Sequence, residues 1–123
     1  MLKTGNQYSR KYIHELLGGG IQDYLPHKNG QVVCGCFRKA LNPFAPDIVL
    51  PGKGLEIMKW AKVFREQTYP IPIFIKLRSN VWEYVGNYKV ESWTIDMNVI
   101  AKYTEYTGRN TITSVLFLEK TQI

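Results

Sequence analysis

In residues 9–18, "SRKYIHELLG", the apolar positions Ile13, Leu16 and Leu17 form one stripe of a short helix. Ser9 is suited to cap its start, and Gly18, Gly19 and Gly20 to end it. The Asn29-Gly30 pair marks a tight turn. "QVVCGCFR" then reads as a strand, with Val33 and Phe37 on one side and Val32, Cys34 and Cys36 on the other. Gly35 inside it predicts a bulge or a close backbone approach. Helical spacing returns in "GLEIMKWAKVFREQ", where Ile57, Trp60, Ala61 and Phe64 follow the i, i+3, i+4, i+7 rule. Lys59, Lys62 and Arg65 lie off that stripe, towards water or a polyanion, and Tyr69-Pro70 closes the segment.

"IPIFIKLR" alternates Ile71, Ile73, Ile75 and Leu77 against Pro72, Phe74, Lys76 and Arg78. A short turn at Ser79-Asn80 joins it to a second strand, "VWEYVGNYKVESW", with a bulge expected at Gly86. Asp96 caps a last helix running to about Thr107, with Gly108 as its stop and Ile95 and Ile100 spaced as a hydrophobic staple. "TITSVLFLEK" is a buried closing strand. Few strands are separated by helices in the second half, and adjacent ones form a hairpin. The class expected is therefore α+β, a single domain over residues 1–123, with about three helices packed on a small curved sheet or small barrel.

One stretch fits neither period. "CFRKALNPFAPDIVLPGKG", residues 36–54, holds three prolines and two glycines, yet also Phe44, Ile48, Val49 and Leu50. Prolines exclude a regular helix or central strand, and the apolar content is too high for a solvated linker. A stiff, half-apolar loop is the expectation.

Charge narrows the partner. The 123 residues carry 16 Lys+Arg against 10 Asp+Glu, a formal net charge of +6, spread along the chain without a basic block. A folded face with positive potential follows, and nucleic acid is the first partner to consider, beside a merely solubilising surface. No apolar run approaches the ~18 residues of a membrane span. The start lacks the apolar core of a signal peptide. A soluble cytoplasmic protein with no membrane contact is expected, nucleoid-associated in a bacterium or nuclear in a eukaryote.

Candidate catalytic chemistry is thin. No GxSxG, HExxH, Walker or dinucleotide-binding pattern occurs. Asp23, Asp47, Glu83 and Asp96 are scattered, and neither His14 nor His27 has a nucleophile beside it in sequence. Cys34 and Cys36 fall short of a four-ligand zinc site even with His27, and read as buried reduced thiols. Neither metal nor cofactor is expected. Aromatic residues are plentiful at 13%, and the strands place Trp82 and Tyr84 next to Lys76 and Arg78. Rings beside cations suit nucleic acid, though such rings also build cores.

At this point the residues resemble a family. "PIPIFIKLRSNVWEYVGNYKVESW" with the closing "SVLFLEK" looks like the second half of SRA domains of the PUA-like superfamily, with Tyr84, Gly86, Tyr88, Val90 and Trp93 in matching order and spacing. "YSRKYIHELLGGGIQDYLPHKNGQVVCGCF" is loosely similar to the SRA entry helix, glycine turn and first core strand. "NPFAPDIVLPGKG" is similar to an uncharacterised domain found in fungal proteins and beside bacterial HNH nuclease modules. The resemblance implies an SRA/PUA-like barrel that binds double-stranded DNA carrying a modified base, 5-substituted cytosine first, and flips that base into an aromatic-lined pocket. It implies restriction or DNA-modification biology, with a separate or fused nuclease module as a further partner.

On that basis Tyr24, Asn42, Asp47, Tyr84 and Trp82 are expected at the base pocket. His27, Lys28, Arg38, Lys39 and Arg78 are expected on phosphates. Residues 41–54 would form the pocket wall, with Phe44 stacking or wedging. The segment departs from the glycine-rich, acidic one that SRA domains carry there, so the target base need not be the same. An RNA-binding PUA-like domain, a glycosylase using Asp47 as acid/base, and a protein-interaction module are the alternatives.

Overall fold

The computed structural model describes residues 1–121. Its centre is the hairpin of β6 (Ile71–Arg78) and β7 (Val81–Thr94). Along chain order, β1 (Gln7–Tyr8), α1 (Arg10–Leu17), β2 (His27–Lys28), β3 (Gln31–Val32), β4 (Gly35–Phe37), β5 (Ile48–Val49) and α2 (Leu55–Glu66) precede it. The α3 helix (Met97–Thr107) and β8 (Val115–Lys120) follow. The main sheet runs β4-β6-β7-β8-β5, with β1 also on β7, while β2 and β3 pair separately. The α+β expectation holds. The sheet is open, with β4 and β5 at its edges, and does not close into a barrel.

Local chemistry explains the element ends. Ser9 accepts from the Tyr12 N–H at 3.0 Å and caps α1. Asp96 accepts from Asn98 N–H at 2.8 Å and caps α3, which ends on Gly108 in the left-handed region. Asn29 and Gly30 both have positive φ, as a two-residue turn between β2 and β3 needs. The staple at α3 is incomplete: Ile100 is buried, but Ile95 is 59% exposed.

Two departures from the simple period matter. First, β7 carries an extra residue at Val85, because Ile73 faces Gly86 while Phe74 faces Tyr84. Before this bulge the buried Trp82 and Tyr84 join Ile13, Cys34, Cys36 and Phe74. After it, Tyr88 and Val90 join Phe37, Phe64, Ile73 and Leu116 in the larger core on the other face. The bulge expected at Gly86 is thus present, and it transfers the alternating side chains across the sheet. Second, "QVVCGCFR" is two short strands and not one. The partner changes between β3 and β4: Val33 N–H still donates to Pro26 O at 2.9 Å, whereas Gly35 pairs with Ile73 of β6. Val32 and Phe37 therefore share the large core, while Cys34 and Cys36 enter the smaller one.

The proline-rich stretch is built into the fold. Its Ile48 and Val49 pair antiparallel with Phe117 and Leu116 of β8. Leu50 packs with Ile100, Ile112 and Val115 beneath α3. Phe44 meets the rings of Tyr103 and Tyr106 edge-on at 5.8 and 6.4 Å. The apolar residues of the loop are there to cover the last strand and helix.

Gly35 leaves no room for a side chain where β4 packs on β6. A Cβ there would lie 2.7 Å from Phe37 Cζ and 2.8 Å from Ile73 Cδ1. Gly35→Ala is expected to lower unfolding stability by about 1–3 kcal/mol, as overpacking does. Gly108→Ala meets nothing within 4 Å and bears only the left-handed backbone cost, roughly 1 kcal/mol. Denaturant midpoints of the two variants, at unchanged slope, check the order.

Candidate nucleic-acid interface

Several loops converge beside the β6–β7 turn and leave a cleft of ≈ 910 Å³. The start of α1 supplies Arg10 and Lys11, the segment before β2 supplies Asp23 and Tyr24, and the end of β4 supplies Cys36 and Arg38. The proline-rich loop adds Asn42 and Leu50 to Lys53, the hairpin adds Lys76, Asn80 and Trp82, and the loop after α3 adds Arg109 and Thr111.

Burial separates a floor from a mouth. Arg10, Cys36, Asn42, Leu50 and Trp82 are buried. Lys11, Asp23, Arg38 and Lys53 are exposed at the opening. On the floor, the Arg10 guanidinium lies 5.1 Å from the Trp82 ring centre and Lys76 Nζ 5.8 Å from it. Lys76 is the register partner of Trp82, so the pairing of β6 with β7 itself brings cation and ring together. Arg10 Nη2 donates to Gly20 O at 3.0 Å and Asp23 O at 3.1 Å, which fixes the glycine turn over the cleft.

The opposite wall is held by carbonyl bonds. Arg109 Nη1 donates to Leu41 O at 2.7 Å and Leu50 O at 2.8 Å, across the two ends of the proline-rich loop. Partial burial pulls the Arg109 guanidinium below its ordinary value, yet it stays charged. Asn42 Oδ1 accepts from the buried Leu50 N–H at 2.7 Å. Lys39 Nζ donates to Pro43 O at 3.4 Å and to Ala45 O. Thr113 N–H donates to Pro51 O at 2.9 Å. A loop pinned at this many points needs little further ordering when a ligand arrives.

The expected site residues divide accordingly. Tyr24, Asn42 and Trp82 of the expected pocket, and Arg38 of the expected phosphate contacts, come together at the cleft. Tyr24 donates its hydroxyl to Ile57 O at 2.6 Å, and burial pushes its phenol up, so it remains a donor. Asn42 Oδ1 already accepts from the Leu50 N–H, so its amide N–H groups are the ones freest to meet a base edge.

The other expected residues lie elsewhere. Tyr84 packs against Phe74 at 5.6 Å and donates to Asn87 Oδ1 at 2.7 Å, in the smaller core. Asp47 is exposed near Tyr88, on the β8 side, away from the cleft lining. His27 stacks on Trp60 at 3.6 Å. Lys28 lies along Gly18. Lys39 is engaged with Pro43 O and Ala45 O of the proline-rich loop, and Arg78 is exposed at the hairpin tip opposite Val81. Cys34 and Cys36 are buried free thiols, and the hydrogen bond from Cys36 together with burial pushes the Cys34 thiol up. Among the described residues no group of three His, Cys, Asp or Glu is placed to hold a metal.

Sequence reasoning missed Arg10, Lys11, Lys53, Asn80 and Arg109. Lys76 had a signal, its pairing phase with Trp82. Arg10 and Arg109 had none, since each sits beside a helix end and reaches the cleft only through tertiary packing.

Residues 7–99 match the model of a domain of unknown function, DUF6697. The chain belongs to the DUF6697 family. No curated protein matches it. Among solved structures, this DUF6697 domain is similar to the SUVH5 SRA domain, crystallised in complex with hemi-methylated CG DNA. The TM-score is 0.67 at 14% identity, over 99% of this chain and 90% of that one. The fold is SRA-like, as the strand and turn residues had implied.

Removing the clasp tests how the wall is held. Asn42→Ala orphans the buried Leu50 N–H and is expected to cost about 1–3 kcal/mol. Arg109→Met releases both loop ends. Both variants should show lower melting temperatures and faster proteolytic cutting within residues 41–53, while Lys62→Met, on the exposed face of α2, should change neither.

Proposed function

We propose that this DUF6697 domain binds double-stranded DNA and takes a modified base, swung out of the duplex, into the cleft between the glycine turn and the proline-rich loop. The observation that carries the reading is the coincidence of an SRA-like fold with a cleft whose floor is ring and cation and whose mouth is basic. The similar SUVH5 domain was crystallised on hemi-methylated CG DNA, which supports DNA as the partner class. Opening a base pair costs a few kcal/mol, and the contacts a base gains in a preformed cleft offset it.

In this reading Tyr24, Asn42 and Trp82 serve the base. Arg38, with Lys11 and Lys53, serves the phosphates flanking it. The basic mouth sits where a flipped nucleotide's backbone would stay outside. A 5-substituted cytosine is the first target to try, and a nuclease acting beside the domain, fused or separate, is the partner that would turn reading into restriction.

The test is equilibrium binding to one duplex, plain or modified at a single base, at two salt concentrations. A modified duplex preferred at both salts is the expected result. Equal binding of all duplexes that collapses with salt would reduce the cleft to a basic surface. Arg38→Gln and Lys53→Gln should weaken every duplex alike, and each should lower the slope of log affinity against log salt by about one.

A further inference from the structure

The cleft floor carries more positive charge than a neutral base needs. Arg10 is only 9% exposed. Its acceptors are two backbone carbonyls, Gly20 O and Asp23 O, and its Nε is buried without a partner. A guanidinium taken out of water is costly unless an anion compensates it. Lys76 brings a second cation to the same ring. Around the whole cleft stand six basic side chains, Arg10, Lys11, Arg38, Lys53, Lys76 and Arg109, against one carboxylate, Asp23. Asp23 is exposed, turns its carboxylate against Gly20, and meets Arg10 through its backbone carbonyl.

The floor is also rich in donors and poor in acceptors. Guanidinium and ammonium groups cannot accept a hydrogen bond. Asn42 Oδ1 already accepts from the Leu50 N–H. A neutral cytosine can accept hydrogen bonds at O2 and N3, yet it brings no negative charge to offset these cations. The phosphodiester backbone does not account for Arg10 and Lys76, because the exposed Lys11, Arg38 and Lys53 already stand at the mouth where the backbone would run.

We propose that Arg10 and Lys76, beside Trp82, form an anion-reading floor, and that the nucleotide this cleft selects carries a negatively charged group to it. Resting on the base-reading function above, the inference names the class of modification: an anionic substituent such as a 5-carboxylate, in preference to the neutral methyl or hydroxymethyl. The same chemistry could be supplied by the phosphate of a free mononucleotide, and the probes below separate the two sources.

The experiment measures binding of the full chain to one duplex bearing 5-carboxylcytosine, 5-methylcytosine, 5-hydroxymethylcytosine or plain cytosine at a single position. Deoxycytidine and its 5′-monophosphate serve as competitors. The carboxylated duplex should bind about tenfold tighter than the methylated one, the size of one charge-assisted contact. Lys76→Gln should erase most of that preference, lowering affinity for the carboxylated duplex several-fold more than for the methylated one, because it removes a charge-specific contact. Arg10→Gln also loses the bonds to Gly20 and Asp23, so Lys76→Gln is the deciding variant and its melting temperature is measured alongside. A methylated or hydroxymethylated duplex bound as tightly as the carboxylated one overturns the anionic floor and leaves base reading intact. Competition by the monophosphate but not the nucleoside, with no preference among duplexes, keeps the floor and overturns the duplex reading. No discrimination among any of these probes overturns both.

Discussion

Pairing of β6 with β7 is the constraint on which the rest of the molecule hangs. Short β4 lies parallel on β6, and β8 and β1 lie antiparallel on β7. The bulge opposite Ile73 and Phe74 decides which side chains of β7 face which core. If β7 ran regularly through Val85, Trp82 and Tyr84 would share a face with Tyr88 and Val90, and the large core and the cleft floor would compete for one set of rings. With it, the first half of β7 lines the smaller core and the cleft, and the second half seals the larger core. A single backbone irregularity thus divides the larger core from the cleft.

The proline-rich loop is the second half of the same design. It is anchored from below by Val49 and Leu50 and from the side by Arg109, Asn42 and Thr113. Its stiffness does not come from proline alone. Polar side chains occupy its carbonyls, so the segment is irregular in φ/ψ yet satisfied in hydrogen bonds. That is how a stretch with neither helical nor strand period can still be one wall of a cleft.

Much of the fold was legible in the sequence because its signals are local. Ser9, Asp96 and Gly108 mark helix ends, Asn29-Gly30 marks a hairpin, and Gly86 marks the bulge, each through chemistry within a few residues. What was not legible depends on distant partners. The strand "QVVCGCFR" breaks in two because Pro26 and Ile73 claim its backbone from outside. The short β5 inside the proline-rich loop exists only because β8 offers an edge. Of the expected site residues, Tyr24, Asn42, Trp82 and Arg38 gather at the cleft, whereas Tyr84 is drawn into the core and His27 onto Trp60. Aromatic and basic residues look alike in sequence whether they stack on a base or on a neighbour, and only packing separates the two uses.

Charge follows the same division between near and far. Net charge is a property of composition, and it pointed to a polyanion without saying where. Position within the fold gives the +6 a direction. Lys11, Arg38 and Lys53 sit in water, where salt screens them and each is worth little beyond attraction to a backbone. Arg10 and Lys76 sit against an indole with water partly excluded, where the same unit charge discriminates strongly between a neutral and an anionic visitor. On the proposed reading, affinity and selectivity reside in different cations of one cleft. The cations proposed to govern selectivity are those whose burial the protein tolerates at some cost to its own stability, Arg10 above all.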